Sequence, residues 1–112
     1  MISYPLIIPD GQDIYLANSE EELLYVLEPN DVLVSGVNLA YDIMGRLYRI
    51  IVQTRESHEL LAVEQDESKE ENIPQLREIM IRFLNDQKGQ EERESLEEMT
   101  VLELMDLVRR YR

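Results

Sequence analysis

The segment of residues 62–72, AVEQDESKEEN, holds five carboxylates and one lysine, and carboxylate oxygens are ligands that Ca²⁺ prefers. An EF-hand loop also needs a glycine at its sixth position and a glutamate at its twelfth. Counted from Asp66, those positions hold Glu71 and Arg77. The pattern fails at both, so we predict no metal site here, and interpret the segment as a solvated loop that leads into a helix.

His58 is the only histidine, and it stands beside Glu56, Ser57 and Glu59. A Ser-His-acid mechanism is superficially available in these residues. Catalytic triads, however, are assembled from distant segments, because neighbouring side chains do not converge easily on one reacting atom. We therefore interpret His58 as a solvated histidine in a turn.

Other catalytic and cofactor patterns are also missing from the sequence. No spacing selects a pair of carboxylates for glycoside hydrolysis, and the chain has no Trp and one Phe to form a sugar platform. The four glycines are too scattered for a phosphate-binding loop, and the absence of cysteine excludes thiol chemistry. We predict a protein that is not an enzyme and has no catalytic residues and no cofactor.

Composition narrows the class of partner. A chain of 112 residues with 44% hydrophobic residues is expected to form a single domain, residues 1–112. Its net charge of -13 repels nucleic acid and anionic membranes and attracts basic proteins. The sequence shows neither a signal peptide nor a membrane-spanning stretch, which predicts a cytoplasmic protein.

The negative charge is concentrated at the start of the chain. Residues 1–45 contain eight Asp and Glu side chains and no Lys or Arg, whereas the remaining residues contain 16 acids and 11 bases. A chain under selection for solubility alone is expected to mix its charges. This imbalance favours a surface that binds a basic partner.

Periodicity and turn signals predict an α+β fold. Strands are expected at residues 2–9, 13–17, 31–42, 46–54 and 59–65. Helices are expected from the Ser19 cap to Pro29, after the Asn72 cap, and after the Thr100 cap, with a polar connector over residues 85–94 before the last. We predict an antiparallel sheet of four to five strands with two or three helices packed on one face.

The first helix carries the candidate binding surface. Its spacing predicts that Leu23, Leu24 and Leu27 face the core, which turns an unusual tyrosine and several glutamates outward. Tyrosine is enriched among interface hot spots. The alternative is a solvated helix whose tyrosine covers the edge of the core. The predicted partner-binding residues, including two acids of the nearby hairpin, are Asp10, Asp13, Glu21, Glu22, Tyr25 and Glu28.

Three motifs resemble those of a family of small acidic immunity proteins, which are encoded beside bacterial polymorphic toxins. They are Ile8-Pro9-Asp10, the Ser-Glu-rich helix from Ser19 that closes at Glu28-Pro29, and Asp42 to Arg46, an Asp-x-x-Gly-Arg turn. The similarity covers residues 4–86, and the last helix has no counterpart in it. It implies a cytosolic inhibitor that binds one cognate toxin domain; it assigns no residue roles, because such interfaces differ between pairs.

Together these observations predict an inhibitor that occludes a cognate toxin, with a nuclease favoured because it must carry positive charge to bind its substrate. Three alternatives remain: an adaptor or regulatory subunit of a basic cellular protein, a structural homo-oligomer whose outward tyrosines contact another copy, and a small hydrolase.

Overall fold

The computed structural model describes residues 2–87 and 93–111, and its centre is a five-stranded sheet. The strands are β1 (Leu6–Asp10), β2 (Asp13–Ala17), β3 (Leu39–Tyr41), β4 (Leu47–Arg55) and β5 (His58–Gln65). Their order in the sheet is β2-β1-β3-β4-β5, and all neighbours are antiparallel. The predicted α+β class and antiparallel sheet are confirmed.

Helices lie on both faces of this sheet. They are α1 (Glu20–Val26), α2 (Pro29–Leu33), α3 (Ile73–Asn85), α4 (Arg93–Glu97) and α5 (Val101–Tyr111). Ile7 packs in one hydrophobic cluster with α3, α4 and α5, whereas Leu6 and Ile8 pack in a second cluster with α1 and α2. Successive side chains of a strand point to opposite faces, so the sheet is the middle of three layers.

This arrangement differs from the expected two or three helices on one face. The sequence signal for it is the unbroken apolar run Leu6-Ile7-Ile8, since a strand buried on both faces lacks the alternation of a half-exposed one. No helix among the described residues is long and apolar enough to cross a membrane.

Two helix caps form as their sequences predict. The Asn72 side chain accepts a hydrogen bond from the Gln75 N–H at 3.1 Å and begins α3. Thr100 and Glu103 form a reciprocal capping box at α5, with bonds of 3.2 and 3.0 Å. Hydrogen bonding of the Glu103 carboxylate to Thr100, to its backbone N–H first and its side chain next, lowers the pKa of Glu103. Of the predicted polar connector, residues 88–92 lie outside the described residues.

The prediction of a strand over residues 31–42 is wrong for its first part. Pro29 begins α2, where a proline is tolerated at the first helical position because that N–H has no partner in the helix. The Asp31 carboxylate accepts from the Glu28 N–H at 2.7 Å, and Gly36 adopts a φ of 72° after the helix. Pro29 therefore opens α2, and only Leu39–Tyr41 of the predicted range forms a strand.

Helix α1 also differs in detail from its prediction. Leu23 and Leu27 are buried, but Leu24 is 54% exposed. The helix ends at Val26, and Leu27 already has an extended backbone. A seven-residue helix buries a narrow stripe, so the third leucine of the predicted apolar face lies outside the core.

The turn between β4 and β5 holds two side chains in a backbone conformation that they rarely adopt. Arg55 pairs with His58, and the two residues between them, Glu56 and Ser57, have φ values of 52° and 69°. Two-residue hairpin turns with positive φ at both positions favour Asn-Gly. Non-glycine residues in this region cost about 1 kcal/mol or more each.

We expect the double variant Glu56→Asn/Ser57→Gly to raise the free energy of unfolding by about 1 kcal/mol, because it relieves this backbone strain. Urea unfolding midpoints would measure the change. Ser57→Ala removes the hydroxyl and keeps the strain, so it should give no gain. Equal midpoints for parent and double variant would contradict the prediction.

Candidate protein-binding surface

Helices α1 and α2 expose large apolar side chains on the same face of the sheet. Tyr25 is 91% exposed, Val34 80%, Leu33 59% and Leu24 54%. Glutamates stand among them in the chain. We name this set the α1–α2 surface: Glu21, Leu24, Tyr25, Glu28, Leu33 and Val34. Exposed apolar groups rimmed by polar ones are typical of interaction sites on proteins.

Both helices pack against the second hydrophobic cluster, on one face of the sheet. Leu23 of α1 and Leu27, just after its end, belong to the cluster that includes Leu6 and Ile8, and the partly buried Val32 of α2 packs against that cluster. Helix α1 packs on β2, and α2 packs on β4 and β5. Helix α1 therefore buries Leu23 alone, α2 buries no side chain completely, and both present most of their residues outward. The predicted outward positions of Glu21, Tyr25 and Glu28 agree with their exposure.

Glu22 is also exposed, but its side chain is held locally. It accepts hydrogen bonds from the Asn18 N–H at 3.2 Å and from Asn18 Nδ2 at 3.0 Å. Ser19 caps the helix, as predicted, by accepting a bond from the Glu22 N–H at 3.2 Å, and between these two described residues a reciprocal bond from the Ser19 N–H to Glu22 is not formed. Glu22 therefore has less freedom to bind a partner than Glu21.

A base from the far end of the chain reaches this helix start. Arg109 Nη2 donates to Asn18 Oδ1 at 3.4 Å, next to the Asn18–Glu22 bonds. Residues 1–45 contain no base of their own, yet the fold places an arginine beside the first turn of α1. The excess of negative charge is therefore strongest away from Glu22.

Asp10 and Asp13 face each other beside the two-residue turn of the β1–β2 hairpin. The Tyr15 hydroxyl donates to the Asp10 carboxylate at 3.3 Å. Burial raises the pKa of Tyr15, and the charges of Asp10, Asp31 and Asp13 raise it further. Asp31 belongs to the first turn of α2. The hairpin acids and the first turn of α2 thus act together on Tyr15, and the assignment of Asp10 and Asp13 to the binding surface stays a prediction.

The same two acids also line a cavity on the other side of the hairpin. This cavity has a volume of about 440 Å³, and Asp86 and Gln87, just after α3, form its opposite wall. Asp86 adds a third negative charge that sequence order alone did not connect to the hairpin. Asp10 and Asp13 therefore belong to two acidic regions, of which only one adjoins α2.

The acidic segment that follows β5 is an ordered loop. Asp66 accepts from the Ser68 N–H at 3.1 Å and from its hydroxyl, and from Arg49 Nε at 3.0 Å. These bonds lower the pKa of Asp66. The bond from the Ser68 hydroxyl contributes most, followed by the bond from Arg49. The Asn72 N–H donates to the Gly45 carbonyl at 2.9 Å and fixes the far end of the loop. The loop has a structural role, in line with its interpretation from the sequence.

Asp42 is the one fully buried acid among the described residues, and it organises the turn between β3 and β4. Its carboxylate accepts from the Met44 N–H at 2.9 Å, the Arg46 N–H at 3.1 Å and the Tyr48 hydroxyl at 2.8 Å. Arg46 Nε lies 3.2 Å from the same group as an ion pair without hydrogen-bond alignment. The Asp-x-x-Gly-Arg turn is thus a folding element.

The described residues show no group of three or more His, Cys, Asp or Glu side chains that could hold a metal ion. His58 is exposed at the first position of β5, beside the turn. Leu24, Leu33 and Val34 were missed as surface residues. The exposure of Leu33 and Val34 could have been predicted from Pro29-Asn30-Asp31, a typical helix start. The prediction of a strand over residues 31–42 did not take this helix start into account.

No protein-family model matches the chain, and comparison with the curated proteins and with the solved structures gives no match either. The resemblance to immunity proteins therefore remains a prediction from the three motifs.

Proposed function

We propose that this protein is a non-enzymatic inhibitor that binds a basic protein through the α1–α2 surface. The observation that carries the proposal is the 91% exposure of Tyr25 on a helix whose other outward residues are acidic or apolar. Exposing Leu24, Tyr25, Leu33 and Val34 to water costs hydrophobic free energy, and a partner that covers them recovers it. Tyrosine supplies a large contact area with few rotatable bonds.

The negative charge around the α1–α2 surface determines which class of partner it attracts. Glu21 and Glu28 are exposed and flank Leu24 and Tyr25 in the sequence, and the charges of Asp10, Asp13 and Asp31 all act on Tyr15. Such a field attracts positively charged surfaces and raises the rate of encounter with them. A protein that binds nucleic acid carries the complementary charge in its own cleft. Occlusion of that cleft by the α1–α2 surface would block its substrate.

Because of the resemblance to immunity proteins, we propose a cognate toxin domain as the specific partner. A nuclease is the favoured class of toxin. The protein would act in the cytoplasm, where such a toxin must be neutralised, and by stoichiometric binding without catalysis or a cofactor. The adaptor and homo-oligomer alternatives share an exposed apolar surface but predict a different partner.

Neutralising the two glutamates of the surface should slow association. We expect Glu21→Gln/Glu28→Gln to lower the association rate constant for the partner about tenfold at low salt and to flatten its salt dependence. Stopped-flow mixing at several ionic strengths would measure this. Glu98→Gln/Asp106→Asn makes the same change in net charge elsewhere on the surface and should have a smaller effect. Equal rates for both double variants would contradict steering by α1 and α2.

A tagged copy of the protein, incubated with lysate of its native host and washed at low and then high salt, tests the function itself. We expect a basic partner retained at near-equal stoichiometry, and added protein should inhibit the activity of that partner. Retention of an active housekeeping complex would replace the inhibitor by an adaptor. A self-complex that is lost on dilution would favour the homo-oligomer.

A further inference from the structure

A narrow groove opens between the first segment of the chain, the start of α1 and the edge strand β5. Its volume is about 230 Å³. Its lining includes Ile2, Tyr4, Glu20, Leu24, Leu61 and Val63. Pockets for drug-sized ligands have volumes of about 300–1,000 Å³, so this groove is suited to a smaller group, such as one side chain.

The walls of the groove are apolar and held in place from both sides. Tyr4, Leu61 and Val63 pack against the cluster of α1 and the sheet, and Leu23 at its floor is buried. The Ser3 N–H donates to the Tyr48 hydroxyl at 3.3 Å and ties the first segment across the sheet. The groove is therefore built by three separate parts of the chain.

Among the described residues that line this groove, Glu20 is the one charged side chain. Burial raises the pKa of Tyr4, and the negative charge of Glu20 raises it further, so the carboxylate and the phenol lie near each other. The N-terminus of a helix carries a partial positive charge of about half a unit, which opposes a cation. The carboxylates of Glu20, Glu21 and Glu22 in the same turn outweigh it.

We propose that this groove binds one lysine or arginine side chain of the basic partner. The methylene stem would lie along Tyr4, Leu61 and Val63, and the cationic head would pair with Glu20 and contact the face of Tyr4. Leu24 belongs both to the groove and to the α1–α2 surface, so the two form one interface. As a partner site, the inference rests on the proposed function.

A titration with small probes tests the groove without the partner. The ¹⁵N-labelled protein is titrated with N-acetyl-arginine methylamide, N-acetyl-lysine methylamide and the uncharged N-acetyl-norleucine methylamide, and amide shifts are followed by NMR. We expect saturable shifts at Tyr4, Glu20, Leu24 and Val63 with the two cationic probes, and weaker binding of the norleucine probe.

Two variants with the same change in charge provide the control. Glu20→Gln should weaken binding of the cationic probes about fivefold, the upper range for an exposed ion pair. Glu98→Gln changes an exposed acid that follows α4, outside both the groove and the α1–α2 surface, and should leave their binding near that of the parent. Shifts spread evenly over the acidic residues, or equal losses in both variants, would overturn the groove as a cation site.

The partner complex separates this inference from the proposed function. If the cationic probes bind at the groove but no basic partner is captured, the site stands and the inhibitor function falls. If a basic partner is captured and Glu20→Gln binds it as tightly as Glu98→Gln does, the groove is overturned and the inhibitor function stands.

Discussion

Replacing Asp42 with alanine is expected to lower the free energy of unfolding by about 3 kcal/mol, because several groups lose their partner at once. The Tyr48 hydroxyl and two backbone N–H groups donate to this buried carboxylate, and Arg46 pairs with it. An unpaired buried donor costs about 1–3 kcal/mol. For a domain stabilised by about 5–15 kcal/mol, this loss is a large fraction.

Urea unfolding monitored by circular dichroism measures the effect. Tyr48→Phe removes one donor and keeps the carboxylate, so it should cost about 1 kcal/mol. Asp106→Ala removes an exposed acid from α5 and should stay within about 0.5 kcal/mol of the parent. A midpoint for Asp42→Ala that equals the midpoint of Asp106→Ala would show that the carboxylate does not organise the turn.

Gly45→Ala is expected to cost about 3 kcal/mol for a different reason. Gly45 has a φ of 78°, and a Cβ atom there would lie 2.8 Å from the backbone C of Asn72 and from the backbone N of Ile73. An alanine in the left-handed region costs about 1–2 kcal/mol, and the clash with backbone atoms adds to this cost. The bond from Asn72 to the Gly45 carbonyl would be displaced as well.

Gly36→Ala is the matched control for this variant. Gly36 has a φ of 72°, and nothing lies within 4 Å of a Cβ built on it. It should therefore show the conformational cost alone, about 1–2 kcal/mol. The difference between the two unfolding free energies measures the contact with α3. Equal losses in both variants would contradict a close approach of Gly45 to Asn72.

Asp42 and Gly45 show which part of the fold could be predicted from the sequence. A glycine in a turn between two paired strands indicates a positive φ, and Gly45 has one. Its contact with Asn72, 27 positions away in the sequence, could not be predicted, because nothing local to either residue records the approach. The Asp-x-x-Gly-Arg turn that contributes to the family resemblance is explained by this packing and by the bonds of Asp42.

The helices also combine features that the sequence predicts with features that it does not. Caps depend on residues three positions apart, and the caps at Asn72 and Thr100 formed as predicted. The placement of helices on two faces depends on the order of strands in the sheet, which places β1 between β2 and β3. The pairing of β1 with β3 joins the β1–β2 hairpin to strands β3, β4 and β5, and no local sequence pattern indicates this pairing.

The candidate surface was predicted in part. The outward Tyr25, Glu21 and Glu28 follow from helical spacing, whereas Leu24 was assigned to the core because three leucines suggested a wider buried stripe than this helix has. Arg109 beside Asn18 could not be foreseen, since the two residues are 91 positions apart. A count of charges along the chain therefore overstates the imbalance near the start of α1.

The most direct test of the α1–α2 surface is the dissociation rate of the captured basic partner from Tyr25→Ala and from Leu102→Ala. Leu102 is 62% exposed on α5, on the other face of the sheet, and serves as the matched apolar control. Loss of a hot-spot tyrosine costs about 2 kcal/mol, so we expect Tyr25→Ala to dissociate about 30-fold faster, with Leu102→Ala equal to the parent. Equal rates for Tyr25→Ala and the parent would contradict the proposed interface.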